Sequence, residues 1–284
     1  MISTICICGA GTMGSGIAQV CAQSDITTTL FDIDETILER AKLIIQQALQ
    51  YLTDKQKIST EEKEMIFKRI KIVNNFGDCK ADVIIEAIIE KTDAKVDLFN
   101  RLSEINNPEV IFATNTSSLS VSEIQKSVLN PERVVGMHFF NPAPVMKLVE
   151  VVKGELTNDE VTETIYVLCK QMGKNPVMCK DAPGFIVNRV ARHYYLEAMK
   201  LVEQGMATFE NVDIIMESMG FKMGPFKLMD LIGMDINLSV SQSMYEAFNK
   251  TERFKPSQIQ IEKVKNGELG KKTGKGFYDY APIA

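Results

Sequence analysis

Short apolar runs alternate with amphipathic segments along the first two thirds of the chain. The runs have the length of buried strands, and the segments between them repeat apolar positions at helical spacing. Such alternation predicts a parallel sheet covered by helices, with ligands bound beyond the carboxyl ends of the strands. The predicted strands are 2–8, 26–31, 70–73, 83–88, 110–113, 133–137, 145–152 and 176–179, and the predicted helices between them are 15–23, 35–69, 91–105, 121–128 and 159–172.

The strand pattern stops after the segment KDAPG at residues 180–184. Amphipathic helical segments then follow one another, at 185–204, 209–219, 225–231, 235–249 and 257–265. We therefore expect a Rossmann-type α/β domain over residues 1–182 and an all-α domain over residues 183–284. The Met and Leu positions of the second domain suit a homodimer interface, although Met-rich helices are more often plain core.

Residues 35–69 are rich in Lys, Glu and Gln and are longer than a crossover connection requires. The run STEE at residues 59–62 has the form of a capping box, which restarts a helix after a break near Lys57. The segment therefore predicts a helical hairpin inserted into the nucleotide-binding fold. Its lysines either form a solvated face or meet a phosphorylated arm of a substrate. Among them are Lys42, Lys55, Lys57 and Lys63.

Three glycines, Gly9, Gly11 and Gly14, follow the first predicted strand and precede a predicted helix. In this G-x-G-x-x-G pattern the first glycine permits a tight turn, the second lets the backbone approach a pyrophosphate, and the third lets the helix pack on the strand. Asp32 ends the second strand, where a carboxylate accepts hydrogen bonds from ribose hydroxyls and repels a 2′-phosphate. Asp34 and Glu35 add to this repulsion and no arginine follows Asp32 directly, so the pattern predicts NAD in preference to NADP.

One of only two histidines, His138, follows the apolar run 133–137. A rigid NPAP corner comes next, and then the strand that carries Glu150. Two short strands joined by such a corner can bring the histidine and the carboxylate together. The pair would then act as a general base whose tautomer and protonated form the acid supports. Spacing alone leaves a second interpretation open, in which His138 is a surface histidine beside an unrelated strand.

The polar run TNTSS at residues 114–118 stands at the carboxyl end of the predicted strand 110–113. Ser and Thr at such a place commonly cap the next helix. The alternative is that they contact a ligand, because the run lies at the predicted mouth of the nucleotide crevice.

Composition and charge narrow the classes of function. The chain is 45% hydrophobic and 24% charged, as is typical of a soluble globular protein, and no apolar run approaches the ~20 residues that cross a bilayer. The net charge of −5 argues against nucleic acid and means that local lysines must meet any anionic substrate. Neither a signal peptide nor an Arg-rich leader is visible, so we expect a cytoplasmic protein without membrane partners.

The six cysteines form no C-x-x-C pair and have no histidine cluster nearby. We therefore expect reduced thiols and no metal site. Cys6 and Cys8 alternate on the first strand and should pack as small hydrophobic residues.

Six blocks of sequence, in order from end to end, resemble the 3-hydroxyacyl-CoA dehydrogenase family. They are GAGTMG from residue 9, ATNTSSLS from 113, GMHFFNPAPVMKLVEVV from 136, KDAPGFIVNRV from 180, MGPFKLMDLIGMD from 223 and GKKTGKGFYDY from 270. The short bacterial members that act on 3-hydroxybutyryl-CoA resemble the chain most. The resemblance implies an enzyme that transfers a hydride between NAD(H) and C3 of a short-chain 3-hydroxyacyl-CoA or 3-oxoacyl-CoA, such as acetoacetyl-CoA.

The same resemblance implies roles for single residues. His138 and Glu150 fall on the family's catalytic pair. Ser117 matches the serine that contacts the substrate's 3-oxygen and the cofactor, and Asn188 matches the asparagine that helps to hold the acyl group. Lys55 matches a lysine that contacts CoA. Besides the glycines, the cofactor-contacting positions fall on Asp32, Glu90, Lys95, Asn115, Asn141 and Lys272.

Two other classes of function are compatible with parts of the sequence. One is a non-catalytic homologue that binds NAD as a structural or sensing protein, against which the retained Ser117, His138, Glu150 and Asn188 argue. The other is a dehydrogenase of free 3-hydroxy acids, of the 3-hydroxyisobutyrate or 6-phosphogluconate type. Those enzymes resemble this chain in organisation but use a lysine where this chain has Asn188.

Overall fold

The computed structural model describes residues 2–280, and the chain divides into two compact units, Met1–Ala182 and Pro183–Ala284. The first unit contains one eight-stranded sheet with connecting helices, and the second is built of helices. This confirms the predicted fold class, a Rossmann-type α/β region with an inserted helical hairpin followed by an all-α region.

The sheet of the first unit has the strand order β3-β2-β1-β4-β5-β6-β7-β8. Its strands are β1 (Thr4–Cys8), β2 (Thr27–Phe31), β3 (Ile70–Val73), β4 (Val83–Glu86), β5 (Ile111–Thr114), β6 (Val134–Phe139), β7 (Leu148–Lys153) and β8 (Asn175–Lys180). Strands β1 to β6 are parallel, in the order found in dinucleotide-binding folds. The expectation of a parallel sheet fails for the last two strands, since β7 runs antiparallel to β6 and β8 follows the direction of β7.

The helices of the first unit lie between these strands. They are α1 (Thr12–Gln23), α2 (Glu35–Asp54), α3 (Thr60–Lys68), α4 (Thr92–Ile105), α5 (Val121–Gln125) and α6 (Asp159–Gln171). Alternation along β1 sends Ile5 and Ile7 to one face of the sheet, where they join the buried faces of α1 and α2 in a continuous apolar core. Cys6 and Cys8 therefore face the other side of the sheet.

The inserted hairpin consists of α2 and α3. The Ser59 hydroxyl accepts a hydrogen bond from the Glu62 N–H at 3.1 Å, and the Glu62 carboxylate accepts one from the Ser59 N–H at 2.7 Å. The predicted capping box is therefore confirmed, and it begins α3. Lys63 Nζ donates to Gln50 Oε1 at 2.8 Å and so links the two arms of the hairpin.

The second unit is a cluster of helices around aromatic and methionine side chains. The helices are α7 (Val187–Glu203), α8 (Phe209–Ser218), α9 (Pro225–Ile232), α10 (Met234–Ala247) and α11 (Gln258–Lys265). The buried carboxylate of Asp230 accepts hydrogen bonds from the N–H groups of Phe277 and Tyr278, at 2.9 and 3.0 Å, and fixes the tail loop on the helices. Helix α7 begins two residues later than predicted, because Phe185 has a φ of 48° that no helix accommodates.

Candidate active site

The turn between β1 and α1 has the shape that a dinucleotide requires. Gly9 has a φ of +102°, and a Cβ on it would lie 2.5 Å from the carbonyl oxygen of Ala87. A Cβ on Gly14 would lie 1.7 Å from the carbonyl oxygen of Gly9, so the turn closes only without side chains at these two positions. A Cβ on Gly11, in contrast, would meet no atom within 4 Å. The backbone at Gly11 thus borders open space of the kind a pyrophosphate occupies.

The N-terminus of α1 and the carboxylate of Asp32 flank this turn. Gly11 is the N-cap residue of α1, and the first turn of the helix contains no acidic residue. Its backbone N–H groups and the positive end of its dipole therefore favour an anion. Asp32 Oδ2 accepts a hydrogen bond from the Ala10 N–H at 2.8 Å, which holds the carboxylate beside the turn. These residues fit NAD, with the phosphates at the helix end and Asp32 at the ribose.

A buried network of charges lies at the carboxyl end of β4. Lys95 Nζ is 2.7 and 2.8 Å from the two carboxylate oxygens of Glu86, and 3.0 Å from Glu90 Oε2. Lys95, which the resemblance places among the cofactor contacts, is only 1% exposed. Thr114 Oγ1 donates to Glu86 at 2.7 Å. Burial raises the pKa of the Glu86 carboxyl, although Lys95 and Thr114 act in the opposite direction.

Glu90 organises the polar run at residues 114–118. Its Oε1 accepts hydrogen bonds from the Thr116 hydroxyl at 2.5 Å and from the Ser117 N–H at 3.0 Å. Burial alone would raise the pKa of Glu90, but the Lys95 ammonium and these hydrogen bonds together lower it below its usual value. The capping of α5 falls instead on Ser120, which accepts from the Glu123 N–H. The run 114–118 is therefore held by Glu90 and not used as a helix cap.

His138 on β6 and Glu150 on β7 stand directly opposite each other in the antiparallel ladder. Opposed residues place their side chains on the same face of the sheet, and His138 Nδ1 lies 2.8 Å from Glu150 Oε2. The exposed fractions are 6% and 1%, so the surface-histidine interpretation is wrong. An ionised carboxylate can only accept, so Nδ1 carries the hydrogen and the neutral ring has its lone pair on Nε2.

The corner between β6 and β7 and the end of β5 support this pair. The Asn141–Pro142 peptide bond is cis, and Asn141 is exposed on the corner. The ring of Phe140 packs against the His138 ring with centroids 4.5 Å apart. Asn115 Oδ1 accepts a hydrogen bond from the Phe139 N–H at 2.9 Å and ties the end of β5 to the strand that carries His138.

Three other residues of the predicted site belong to other elements of the chain. Lys55 is exposed at the end of α2, with its Nζ 5.7 Å from the centroid of the Tyr51 ring. Asn188 lies in the first turn of α7, in the second unit. Lys272, also in the second unit, places its Nζ 2.5 and 2.6 Å from the carboxylate oxygens of Asp235. Contacts of these three residues with ligands stay predictions.

Two buried polar residues, Glu86 and Thr116, belong to the site but are missing from the sequence-based set. Glu86 ends an apolar strand, and an apolar pattern gives no sign that the last residue forms an internal ion pair with Lys95. Thr116 lies inside the polar run 114–118, and the position of this run at the end of a strand was the signal that could have identified it.

Three cysteines meet on the sheet face opposite the α1 core. The Sγ atoms of Cys6, Cys8 and Cys79 lie within 4.8 Å of one another, and all three side chains are buried. Alternation on β1 places the first two together, as predicted. That the protein needs no metal stays a prediction.

The fold and this geometry together define a class of protein. Ligands of parallel α/β sheets bind at the carboxyl ends of the strands, and the glycine turn, Glu90 and His138 all lie at that end of β1, β4 and β6. A histidine base at a dinucleotide crevice is typical of a nicotinamide-dependent oxidoreductase. Within residues 2–280, no helix has the length and apolar character to cross a membrane.

Comparison with known protein families narrows this class of oxidoreductase to one family. Residues 4–182 match the model described as "3-hydroxyacyl-CoA dehydrogenase, NAD binding domain", and residues 184–280 match "3-hydroxyacyl-CoA dehydrogenase, C-terminal domain". The chain therefore belongs to the 3-hydroxyacyl-CoA dehydrogenase family, which confirms the resemblance found in the six sequence blocks.

Individual relatives are similar along the whole chain. The 3-hydroxyadipyl-CoA dehydrogenase of Escherichia coli K12 is 45% identical over 98% of this chain, which spans only 59% of that protein's length. The probable 3-hydroxybutyryl-CoA dehydrogenase of Bacillus subtilis is 39% identical over 98% of both chains. The crystal structure of (S)-3-hydroxybutyryl-CoA dehydrogenase from Ralstonia eutropha has a TM-score of 0.94 at 37% identity, and the match covers 99% of this chain and 100% of that one.

Proposed function

We propose that the protein is an NAD-dependent dehydrogenase of short-chain 3-hydroxyacyl-CoA thioesters, which interconverts 3-hydroxybutyryl-CoA and acetoacetyl-CoA. The buried contact between His138 and Glu150, at the ligand-binding end of a dinucleotide fold, carries this proposal. A hydroxyl whose carbon gives up a hydride must also lose its proton, and the pair supplies the base. NAD, when bound, accepts the hydride from C3.

The histidine and the carboxylate divide the proton transfer between them. In oxidation, Nε2 of neutral His138 takes the proton of the 3-hydroxyl, while the Nδ1–H group keeps its hydrogen bond to Glu150. The carboxylate stabilises the imidazolium that forms, and the burial of both groups strengthens this attraction relative to water. In reduction, the imidazolium returns the proton to the 3-oxygen.

The other roles in the proposal follow the family resemblance. Ser117 contacts the 3-oxygen and the cofactor, and Asn188 holds the acyl group. Glu90 and Lys95 are proposed cofactor contacts as well, and Glu86 and Glu90 hold the Lys95 ammonium in place. The remaining cofactor contacts are proposed for Gly9, Gly11, Gly14, Asp32, Asn115, Asn141 and Lys272.

We propose NAD in preference to NADP. Asp32 is held beside the glycine turn by the Ala10 N–H, where its carboxylate meets the ribose hydroxyls and repels a 2′-phosphate. Asp34 and Glu35 follow it and increase the negative charge at this place.

The proposal also covers the acyl group of the substrate, the oligomeric state of the protein and its cellular compartment. The names of the relatives support a CoA thioester but differ in the acyl group, 3-hydroxybutyryl in Bacillus subtilis and 3-hydroxyadipyl in Escherichia coli. We assign CoA contact to the exposed Lys55 and a homodimer to the helices of the second unit. Six free thiols fit a reducing compartment such as the cytoplasm.

The test is the consumption of NADH with acetoacetyl-CoA, run in parallel with NADPH and with free acetoacetate. We expect fast turnover only with NADH and the thioester. Turnover of free acetoacetate would favour a dehydrogenase of free 3-hydroxy acids. Binding of NADH without turnover of any thioester would overturn the proposal and leave a non-catalytic homologue.

A further inference from the structure

A buried arginine in the second unit has no acidic partner. Arg192 on α7 is 3% exposed, and its Nη1 donates to the Asn237 carbonyl oxygen, the Asn237 side-chain Oδ1 and the Ser241 hydroxyl at 2.9, 3.1 and 3.0 Å. Every one of these acceptors is neutral. Among residues 2–280, no carboxylate forms an ion pair with the guanidinium. Burial without a nearby acid lowers the pKa of Arg192 to about 10.

The groups around Arg192 are also incompletely hydrogen-bonded. Gln260 Nε2 donates to Asn237 Oδ1 at 2.6 Å and to Ser241 Oγ at 3.1 Å. Three buried atoms of this cluster have no partner, namely Arg192 Nε, Asn237 Nδ2 and Gln260 Oε1. Buried polar atoms are nearly always satisfied in folded proteins, and an unpaired buried charge is especially unfavourable. Two of the three unpartnered atoms are donors, so the cluster fits an anion.

The position of Arg192 connects this cluster to the proposed acyl site. Asn188, the residue proposed to hold the acyl group, precedes Arg192 by four positions on α7, so the two share one face of the helix. Side chains on a helix lean toward its N-terminus, which turns Arg192 toward the turn that carries Asn188. Asn237 lies two residues beyond Asp235, the partner of the proposed cofactor contact Lys272.

We propose that Arg192, Asn237 and Gln260 form a subsite for the terminal carboxylate of a dicarboxylic acyl chain, so that the substrates include 3-hydroxydicarboxylyl-CoA thioesters. The carboxylate accepts from Arg192 Nε and Asn237 Nδ2 and neutralises the buried guanidinium. Asn188 and Arg192 are about 6 Å apart along the axis of α7, at four residues of about 1.5 Å each, so the subsite suits an acyl chain with only a few carbons beyond C3. This inference rests on the proposed function, since it presupposes an acyl-CoA held by Asn188.

The test compares 3-hydroxyadipyl-CoA with 3-hydroxyhexanoyl-CoA, which has the same number of acyl carbons but ends in a methyl group. For the unmodified protein we expect kcat/KM to be about tenfold or more higher for the adipyl thioester, as a desolvated arginine–carboxylate contact provides. Arg192→Met should remove this preference, and Arg192→Lys should keep only part of it. Lys200→Met, which removes an exposed positive charge from the same helix, is the matched control and should leave the ratio unchanged.

The outcomes separate this inference from the proposed function. Turnover of 3-hydroxybutyryl-CoA without a preference for the adipyl thioester in the unmodified protein would overturn the subsite alone, whether or not the variants fold. A preference that survives Arg192→Met in a protein with an intact thermal transition would also overturn it. If none of the three thioesters is turned over, the proposed function is overturned as well.

Discussion

Glu90 shows how one carboxylate connects the core to the surface of the crevice. One of its oxygens faces the buried Lys95, and the other holds the Thr116 hydroxyl and the Ser117 N–H. The sequence could identify Glu90 and Ser117 through their resemblance to a known pattern. It could not show that Lys95 is buried between Glu86 and Glu90, because a lysine in an amphipathic helix is ordinarily exposed.

The lowered pKa of Glu90 predicts a dependence of stability on pH. A carboxyl with a depressed pKa in the folded state contributes its full stability above the unfolded-state value of about 4.3, and loses it as the pH falls through the folded-state pKa. Glu90→Gln should therefore lower the free energy of unfolding by about 1 kcal/mol near neutral pH. The difference from the unmodified protein should shrink below about pH 4.

Urea unfolding of the unmodified protein and of Glu90→Gln, each near neutral pH and below about pH 4, measures this difference in the free energy of unfolding. The control is Glu104→Gln, which removes an exposed carboxylate from α4, the helix that follows Glu90. A difference for Glu90→Gln that is the same at both pH values would contradict the assignment of an ionised, hydrogen-bonded Glu90.

Elements that depend on a local sequence pattern could be predicted, whereas strand direction and some helix boundaries depend on more than the element's own residues. The eight strands, the capping box at Ser59 and the glycine turn could all be predicted, because each depends on a local pattern. The apolar run of β7 carries no sign of its direction, and the signal for the reversal is the short NPAP corner before it, because parallel strands need a longer crossover connection. The late start of α7 could not be predicted, because Phe185 has a positive φ that a phenylalanine rarely adopts.

The turn before α1 predicts opposite results for two of its glycines. Gly11→Ala should fold normally, because its Cβ would meet no atom within 4 Å, but it should weaken NAD binding by about tenfold or more as the methyl group enters the pyrophosphate space. Gly14→Ala should lower the free energy of unfolding by about 1–3 kcal/mol, since its Cβ would lie 1.7 Å from the Gly9 carbonyl oxygen. Calorimetric NAD titration and urea unfolding of both variants distinguish the two effects. Unchanged NAD affinity in Gly11→Ala would contradict the cofactor site.

The assembly of the protein can be tested on the exposed apolar residues of the second unit. Ile214, Ile215 and Met219 are 57%, 61% and 71% exposed, on and just after α8. Such a cluster on a surface is typical of an interface. If the proposed homodimer uses this surface, Ile215→Glu should convert dimers to monomers in size-exclusion chromatography with light scattering.

Leu43→Glu, at a residue 56% exposed on α2 in the first unit, is the control and should stay dimeric. A monomeric unmodified protein would contradict the homodimer. If the Ile215→Glu variant stays dimeric, the dimer interface does not include this surface of α8.

The central claim is that His138 and Glu150 act as one base, and a double-mutant cycle of kcat tests it most directly. His138→Gln should reduce kcat by about 10²–10⁴-fold with NAD affinity unchanged. Glu150→Gln should cause a large part of that loss, because the carboxylate acts only through the histidine. The double variant should then be no slower than His138→Gln alone, to within about threefold. Losses that multiply in the double variant, or an equal loss of NAD affinity in His138→Gln, would contradict the account.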